Sequence, residues 1–329
     1  MQNKNQHTIP HGYLRKFVDP ESPSNKKPYC WVYNRKTKRS FRRSPKKLET
    51  RPYYYSNRDA KGELDDAPDR ILQDIENRGL PILDKLDKGR CLPHLNETDR
   101  KAASELLATF YLRVPTFRNT VEDLVGEIGK TVLKTLAASY KRFDNFICRS
   151  IKQAGKETPG NIEKLRRAYL LGDFSIEANP ALSLELMFIL IPMIADYIYD
   201  FHWRILEAPL NHRFITSDRP LVLITTERPR VRMDGVGWET PWMEATLPLS
   251  PRNLLLISQH YPEGHERVSQ DKVAEANRRT YAYGERIYSS AGINPIYLER
   301  PVGWIWWQPL TSVIVESVSQ VEMSSKEDS

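Results

Sequence analysis

Two histidines four residues apart, His7 and His11, stand near the start of the chain, the spacing of a metal clip on one helix face. Pro10 decides against that reading. Proline has no N–H to donate and suits a helix's first turn, so the helix is expected to begin there with His7 ahead of it. Pro10, Tyr13, Leu14 and Phe17 then fall at i, i+3, i+4 and i+7 as an apolar stripe, with His11, Arg15 and Val18 on another face. This sets His11 aside and leaves His7 as one imidazole at an element end, able to act as general base or metal ligand, or simply to cap the helix. Glu76 lies close to the apolar stripe of a later helix, where a carboxylate is either an ion-pair partner or a site residue. Arg113 and Arg118 flank Pro115. Two guanidinium groups there could bind a carboxylate or phosphate, or pair with Glu76 or Glu122.

A second chemical feature is charge. Residues Arg35 to Arg51 carry nine Lys or Arg and one acid, Glu49. Arg42, Arg43, Lys46 and Lys47 are its densest part, with Phe41 and Tyr53 to Tyr55 nearby. Nucleic-acid contacts use such cations on phosphates and such rings on bases. The competing reading is a solvated hairpin offset by Asp59, Glu63, Asp65, Asp66 and Asp69. The net charge of +7 permits a polyanionic partner without requiring one.

The elements that must position these residues follow from pattern. A hydrophobic content of 40% and a charged content of 28% are those of a soluble globular chain. Three cysteines without short spacing favour a reducing cytoplasm. Tyr29 to Tyr33 reads as a strand and Ser40-Phe41 as the start of its return. Helices are expected over Asp65–Asp87, from Asn96 to a break at Pro115, onward through Leu136, over Ile162–Leu171, and from Asn179-Pro180 through Trp203. The last is apolar all round and so is expected to be the central core helix; its interrupting Glu185, Pro192, Asp196 and Asp200 argue against a membrane span. Gly126 to Thr131 imitates part of a phosphate-binding loop but lacks a preceding strand, so it reads as helix. Composition then switches to strands at 213–217, 221–225, 245–249, 254–258, 287–290 and 304–316, with one helix from Ser269 to Gly284. The expected fold is α+β: one domain over 1–320, with N-terminal (1–58) and C-terminal (212–320) segments forming a mixed or antiparallel sheet around a helical middle (59–211). Residues 321–329 are expected to be a mobile tail.

The motifs of metal-dependent nucleases, zincins, serine hydrolases and structural zinc sites are absent. What occurs in order is His7-x2-Pro10-x2-Tyr-Leu-Arg-x-Phe17, Trp-Val-Tyr-Asn-Arg35, Ile75-Glu76, Phe110-x2-Arg113-x-Pro115-x-Phe-Arg118, Phe214-Ile-Thr-Ser-Asp218-x-Pro220, Pro248-Leu-Ser-Pro251 and Asn277 on a late helix. Over roughly residues 5 to 290 this resembles a mostly bacterial family known as a domain of unknown function, DUF4238. The resemblance implies no reaction and no cofactor. It directs attention to His7, Glu76, Arg113, Arg118, Asp218 and Asn277. Two classes of function are then in play. A hydrolase acting on a phosphodiester or other anionic substrate would use His7 as base or metal ligand, with Asp218 and Glu76 orienting it or holding a divalent cation. Arg113 and Arg118 would stabilise anionic charge, and Asn277 would bind substrate. The alternative is a non-catalytic module that binds nucleic acid through Arg42, Arg43, Lys46 and Lys47, or a protein-interaction component of a defence or stress system.

Overall fold

A computed structural model describes residues 5–22, 27–58, 64–89, 92–153, 155, 161–176, 179–226, 236–293 and 298. The strand expected over 304–316, with its Trp304, Trp306 and Trp307, lies outside the described residues, as do the tail after 321 and the acids Asp59 and Glu63. The N-terminal part comprises β1 (Asn5–His7), α1 (His11–Leu14), β2 (Cys30–Asn34), β3 (Arg39–Arg43), a 3-10 turn (Pro45–Lys47), β4 (Thr50–Pro52), β5 (Asn57–Arg58) and β6 (Leu64–Asp65). Helices α2 (Ala67–Lys88), α3 (Glu97–Leu112), α4 (Pro115–Ala137), α5 (Tyr140–Gln153), α6 (Ile162–Leu171) and α7 (Pro180–Asp200) follow. The chain continues through β7 (His202–Glu207), β8 (Thr216–Ser217), β9 (Val222–Thr225), β10 (Met243–Pro248), β11 (Asn253–Ser258), β12 (Gly264–Arg267), α8 (Gln270–Tyr283) and β13 (Arg286–Ser289).

Two compact units result, one from Met1–Val114 with Leu190–Ser329, the other Pro115–Ile189. In the first, an antiparallel sheet ordered β3-β2-β13-β8 joins strands from both ends of the chain, as an α+β fold with shared N- and C-terminal strands requires. A second sheet, β12-β7-β11-β10-β9, is built from residues 202–267 and is antiparallel except at β12–β7. All six residues of β10 and all six of β11 are buried. Leu206, Phe214, Leu254, Leu256 and Tyr261 pack there with Val273 and Ala276 of α8. Gly79 lets α2 close on α3: a Cβ there would sit 2.5 Å from the Cβ of Leu106. In the second unit, Ala137 of α4 packs with Phe143 and Ile147 of α5 and with Ile162, Leu165 and Tyr169 of α6.

Local signals place the helix starts. The Asn96 side chain accepts from the N–H of Asp99, and Ser269 from that of Lys272. Pro10 is the residue before α1 and not its first, while the stripe of Pro10, Tyr13, Leu14 and Phe17 is buried as expected.

Two expectations are corrected and one helix is added. The apolar helix ends at Asp200, and the chain turns into β7 instead of continuing through Trp203. From 202 to 205, buried Trp203 and Ile205 alternate with exposed or half-buried His202 and Arg204, a period-two pattern hidden by the apolar run before it. Nor is α7 a central core helix. It buries one stripe, from Leu184 to Ile198, while Ile189 and Met193 are 59% and 55% exposed. By length and composition Ala181–Asp200 could cross a membrane, but Glu185, Asp196 and Asp200 line its exposed side, an expensive face to place in lipid. Finally, α5 was not expected, because its buried face rests on only two apolar residues, Phe143 and Ile147.

Candidate functional site

His7 ends β1, whose pairing with β4 sets it opposite Thr50. Its Nδ1 lies 3.2 Å from the carbonyl of Leu48. A carbonyl only accepts, so Nδ1 carries the proton and Nε2 the lone pair. The short link from Thr8 to Pro10 brings α1 back on itself, and the rings of His7 and His11 lie with centroids 5.9 Å apart at 36°. The sequence argument that the two do not form a clip on one helix holds, since His7 lies in β1 and His11 begins α1. The two histidines are not on one helix, yet the turn between them pairs their rings. Burial, and then the neighbouring His11, lower the pKa of His7 from its ordinary value. Burial, followed by Arg15 and Lys46, lowers that of His11. Glu76 opposes the shift at both rings.

Beneath the pair lies Arg113, 3% exposed, at the end of α3. Its Nη1 donates to Glu76 Oε1 at 2.5 Å, its Nη2 to the His7 carbonyl, and its Nε to the Tyr55 hydroxyl at 3.3 Å. The Tyr55 hydroxyl in turn donates to the Arg113 carbonyl at 3.1 Å. Burial opposes the charge on Arg113, but Tyr55 and Glu76 outweigh it and hold the guanidinium firmly protonated. Arg113 thus acts as a strut that fixes the backbone of His7 and the carboxylate of Glu76. The Glu76 side chain keeps 19% exposure beside the histidines.

A second polar cluster begins one residue along. The Thr8 hydroxyl reaches Glu49 Oε2 at 3.3 Å, and the Thr8 N–H donates to the Glu49 carbonyl. Glu49 is buried and has φ of 49°, a left-handed conformation uncommon for a residue with a side chain. Its carboxylate accepts from Arg286 at 2.9 Å and from the Tyr288 hydroxyl. Arg286 Nε lies 3.7 Å from Asp218 Oδ2, and Asp218 Oδ1 accepts the N–H of Glu285 at 2.8 Å. Burial raises the pKa of both carboxylates. The path from His7 to Asp218 therefore runs through Thr8, Glu49 and Arg286, with no direct contact between its ends among the described residues.

The remaining candidates are placed elsewhere. Asn277 on α8 accepts from the N–H of Ile215 and donates to the carbonyl of Arg213, standing in for a neighbouring strand. Arg118 lies in the second unit, where its Nε donates to Ser183 Oγ at 3.0 Å. β3 splits the basic cluster between two faces. Arg42 stands over Trp31 at 4.3 Å and Tyr29 at 4.9 Å, while Arg43 on the opposite face donates to the Lys47 carbonyl. Lys46 and Lys47 are exposed on the 3-10 turn. Among the described residues no three His, Cys, Asp or Glu side chains are placed to hold one metal ion.

Sequence reasoning gave no site role to Glu49, Arg286 or Tyr288, and read Tyr55 only as a ring beside the basic cluster. Only Glu49 left a signal, as the one acid among nine cations. A model of the family described as protein of unknown function, DUF4238, matches residues 5–291, and no curated protein or solved structure is similar. That match takes in β1 to β13 and both polar clusters, and on it the chain belongs to the DUF4238 family.

Proposed function

We propose that the chain is a hydrolase that cleaves a phosphodiester, with the imidazoles of His7 and His11 as its acid–base pair. The observation that carries this reading is the ring pair 5.9 Å apart, with one member held in a fixed tautomer by the Leu48 carbonyl. His7 Nε2 takes a proton from the attacking water as its oxygen bonds to phosphorus. Protonated His11 gives a proton to the ester oxygen that leaves. Arg15 and Lys46, which bear on His11 electrostatically, supply positive potential for the anion. Glu76 favours the protonated state of the pair, and Arg113 positions Glu76 and His7 without itself facing the substrate. Asp218 acts at a distance, by holding Arg286 against Glu49. Unpaired, exposed Cys148 and buried, unpaired Cys30 support a reducing, cytoplasmic setting, and the family resemblance supports a bacterial one.

Hydrolysis of a chromogenic phosphodiester by the full chain, with chelator and with added Mg²⁺ or Mn²⁺, tests the reading. His7→Ala and His11→Ala are expected to lose about 10²- to 10⁴-fold each, the scale of one general acid or base. Full activity in both variants overturns the assignment.

A further inference from the structure

We propose that single-stranded nucleic acid binds along the outer edge of β3 and the 3-10 turn after it, on a track that leads to the two histidines. This rests on the phosphodiesterase reading for what happens at the end of the track, but the binding surface stands on separate observations.

β3 is the edge strand of its sheet, and all five of its residues are exposed. Side chains alternate along a strand, so Arg39, Phe41 and Arg43 share one face. That face is the one on which β2 buries Cys30 and Val32, the cross-strand partners of Arg43 and Phe41. The Cys30 thiol points to the Leu14 carbonyl of α1, so this is also the side of the sheet on which α1 and His11 lie. From Arg43 the chain passes through Lys46 and Lys47 to Leu48, whose carbonyl holds His7. Leu48 lies five positions beyond Arg43, which bounds the gap at about 18 Å, within reach of a short oligonucleotide.

Among the described residues the cations of this track are not offset by ion pairing. The one acid of the segment, Glu49, is buried and engaged by Arg286 and Tyr288. Among the described residues no carboxylate pairs with Arg39, Arg43, Lys46 or Lys47, whereas Lys36 in the same hairpin pairs with Glu285 at 2.8 Å. Phe41 is 39% exposed between two arginines, a ring on which a base can stack while the cations take its phosphates. Edge strands also carry charge to prevent pairing with another sheet. That explains Arg39 and Arg43, but not Lys46 and Lys47 beyond the strand, nor an exposed aromatic ring between the arginines.

Anisotropy titration of labelled single-stranded RNA and DNA, against a duplex and heparin, tests this on the full-length His7→Ala/His11→Ala chain, where turnover is removed. Single strands are expected to bind more tightly than duplex or heparin. Neutralising Arg43 or Lys47 to Gln should lower the slope of log affinity against log salt by about 0.7 each. Phe41→Ala should weaken binding about tenfold. Arg42→Gln, on the opposite face, should change neither; circular dichroism of each variant checks the fold. Equal affinity for heparin and single strands, or equal effects of Arg42 and Arg43, overturns the track. Binding without cleavage by the unsubstituted chain upholds the track and removes the catalytic reading. Cleavage of the small phosphodiester without oligonucleotide binding does the reverse.

Discussion

Replacing Arg113 with Met separates a structural strut from a substrate-binding arginine. Met approximates the aliphatic stem but removes three donations, to Glu76 Oε1, the His7 carbonyl and the Tyr55 hydroxyl. Removing one partner of a buried ion pair costs about 3–5 kcal/mol, chiefly because the other charge stays behind. Here the Glu76 side chain retains 19% exposure and can be partly rehydrated, which points to the lower end, about 3 kcal/mol. The stranded His7 carbonyl adds about 1 kcal/mol or more, while the Tyr55 hydroxyl keeps its donation to the backbone carbonyl at 113. A total near 4 kcal/mol is a large share of the 5–15 kcal/mol that holds a typical domain. Urea denaturation followed by far-ultraviolet circular dichroism measures it. Arg113→Met/Glu76→Gln should recover part of the loss, because the unpaired carboxylate is then gone. A single variant within about 1 kcal/mol of the parent chain, with the loss appearing instead in KM, would refute the strut and make Arg113 a substrate contact.

Other consequences can be measured separately. Burial first, and then nearby cations (Arg113 at His7, Arg15 and Lys46 at His11), lower both histidine pKa values from 6.5 against a raising effect of Glu76. The singly protonated pair is therefore most populated below pH 6.5, and kcat/KM should follow a bell centred there; an optimum above pH 7 contradicts the mechanism. Burial raises the pKa of Glu49 above 4.5 in the fold, so its stabilising contribution is present below the unfolded value and declines as pH rises through the folded one. Stability measured from pH 4 to 7.5 should accordingly move in favour of Glu49→Gln relative to the parent chain, and a trend the other way refutes the raised pKa. Gly284→Ala would place a Cβ 2.4 Å from Ser217 Cβ. The expected cost is about 1–3 kcal/mol, and a neutral result would mean that β8 shifts freely.

The residue at 284 illustrates how a correct reading can rest on the wrong cause. A glycine after a helix suggests a left-handed cap, but its φ is −81°. The glycine is needed because Ser217 of β8 packs onto it. Glu76 and Arg113 show a related limit. Glu76 was visible beside an apolar stripe and Arg113 beside Pro115, and their pairing was one of the alternatives offered, but 37 residues separate them in the chain. Only the packing of α2 with α3 turns them into one buried pair.

The sequence by itself determined what depends on near neighbours. The buried stripe of α1, the caps at Asn96 and Ser269, the break at Pro115 and the helical state of residues 126–131 all follow from a few adjacent side chains, because capping and periodicity act over one or two turns. The paired strands at 30–34 and 39–43 followed in the same way. The tertiary structure alone decided who meets whom. It returned His11 to His7, sent Arg113 to the His7 carbonyl, divided Arg42 from Arg43 across a strand, and buried the single acid of the basic segment against Arg286 and Tyr288, more than 230 residues away. Desolvation and ion pairing depend on distance in space, and a carboxylate or imidazole carries no mark in the chain of the partner that folding will bring to it.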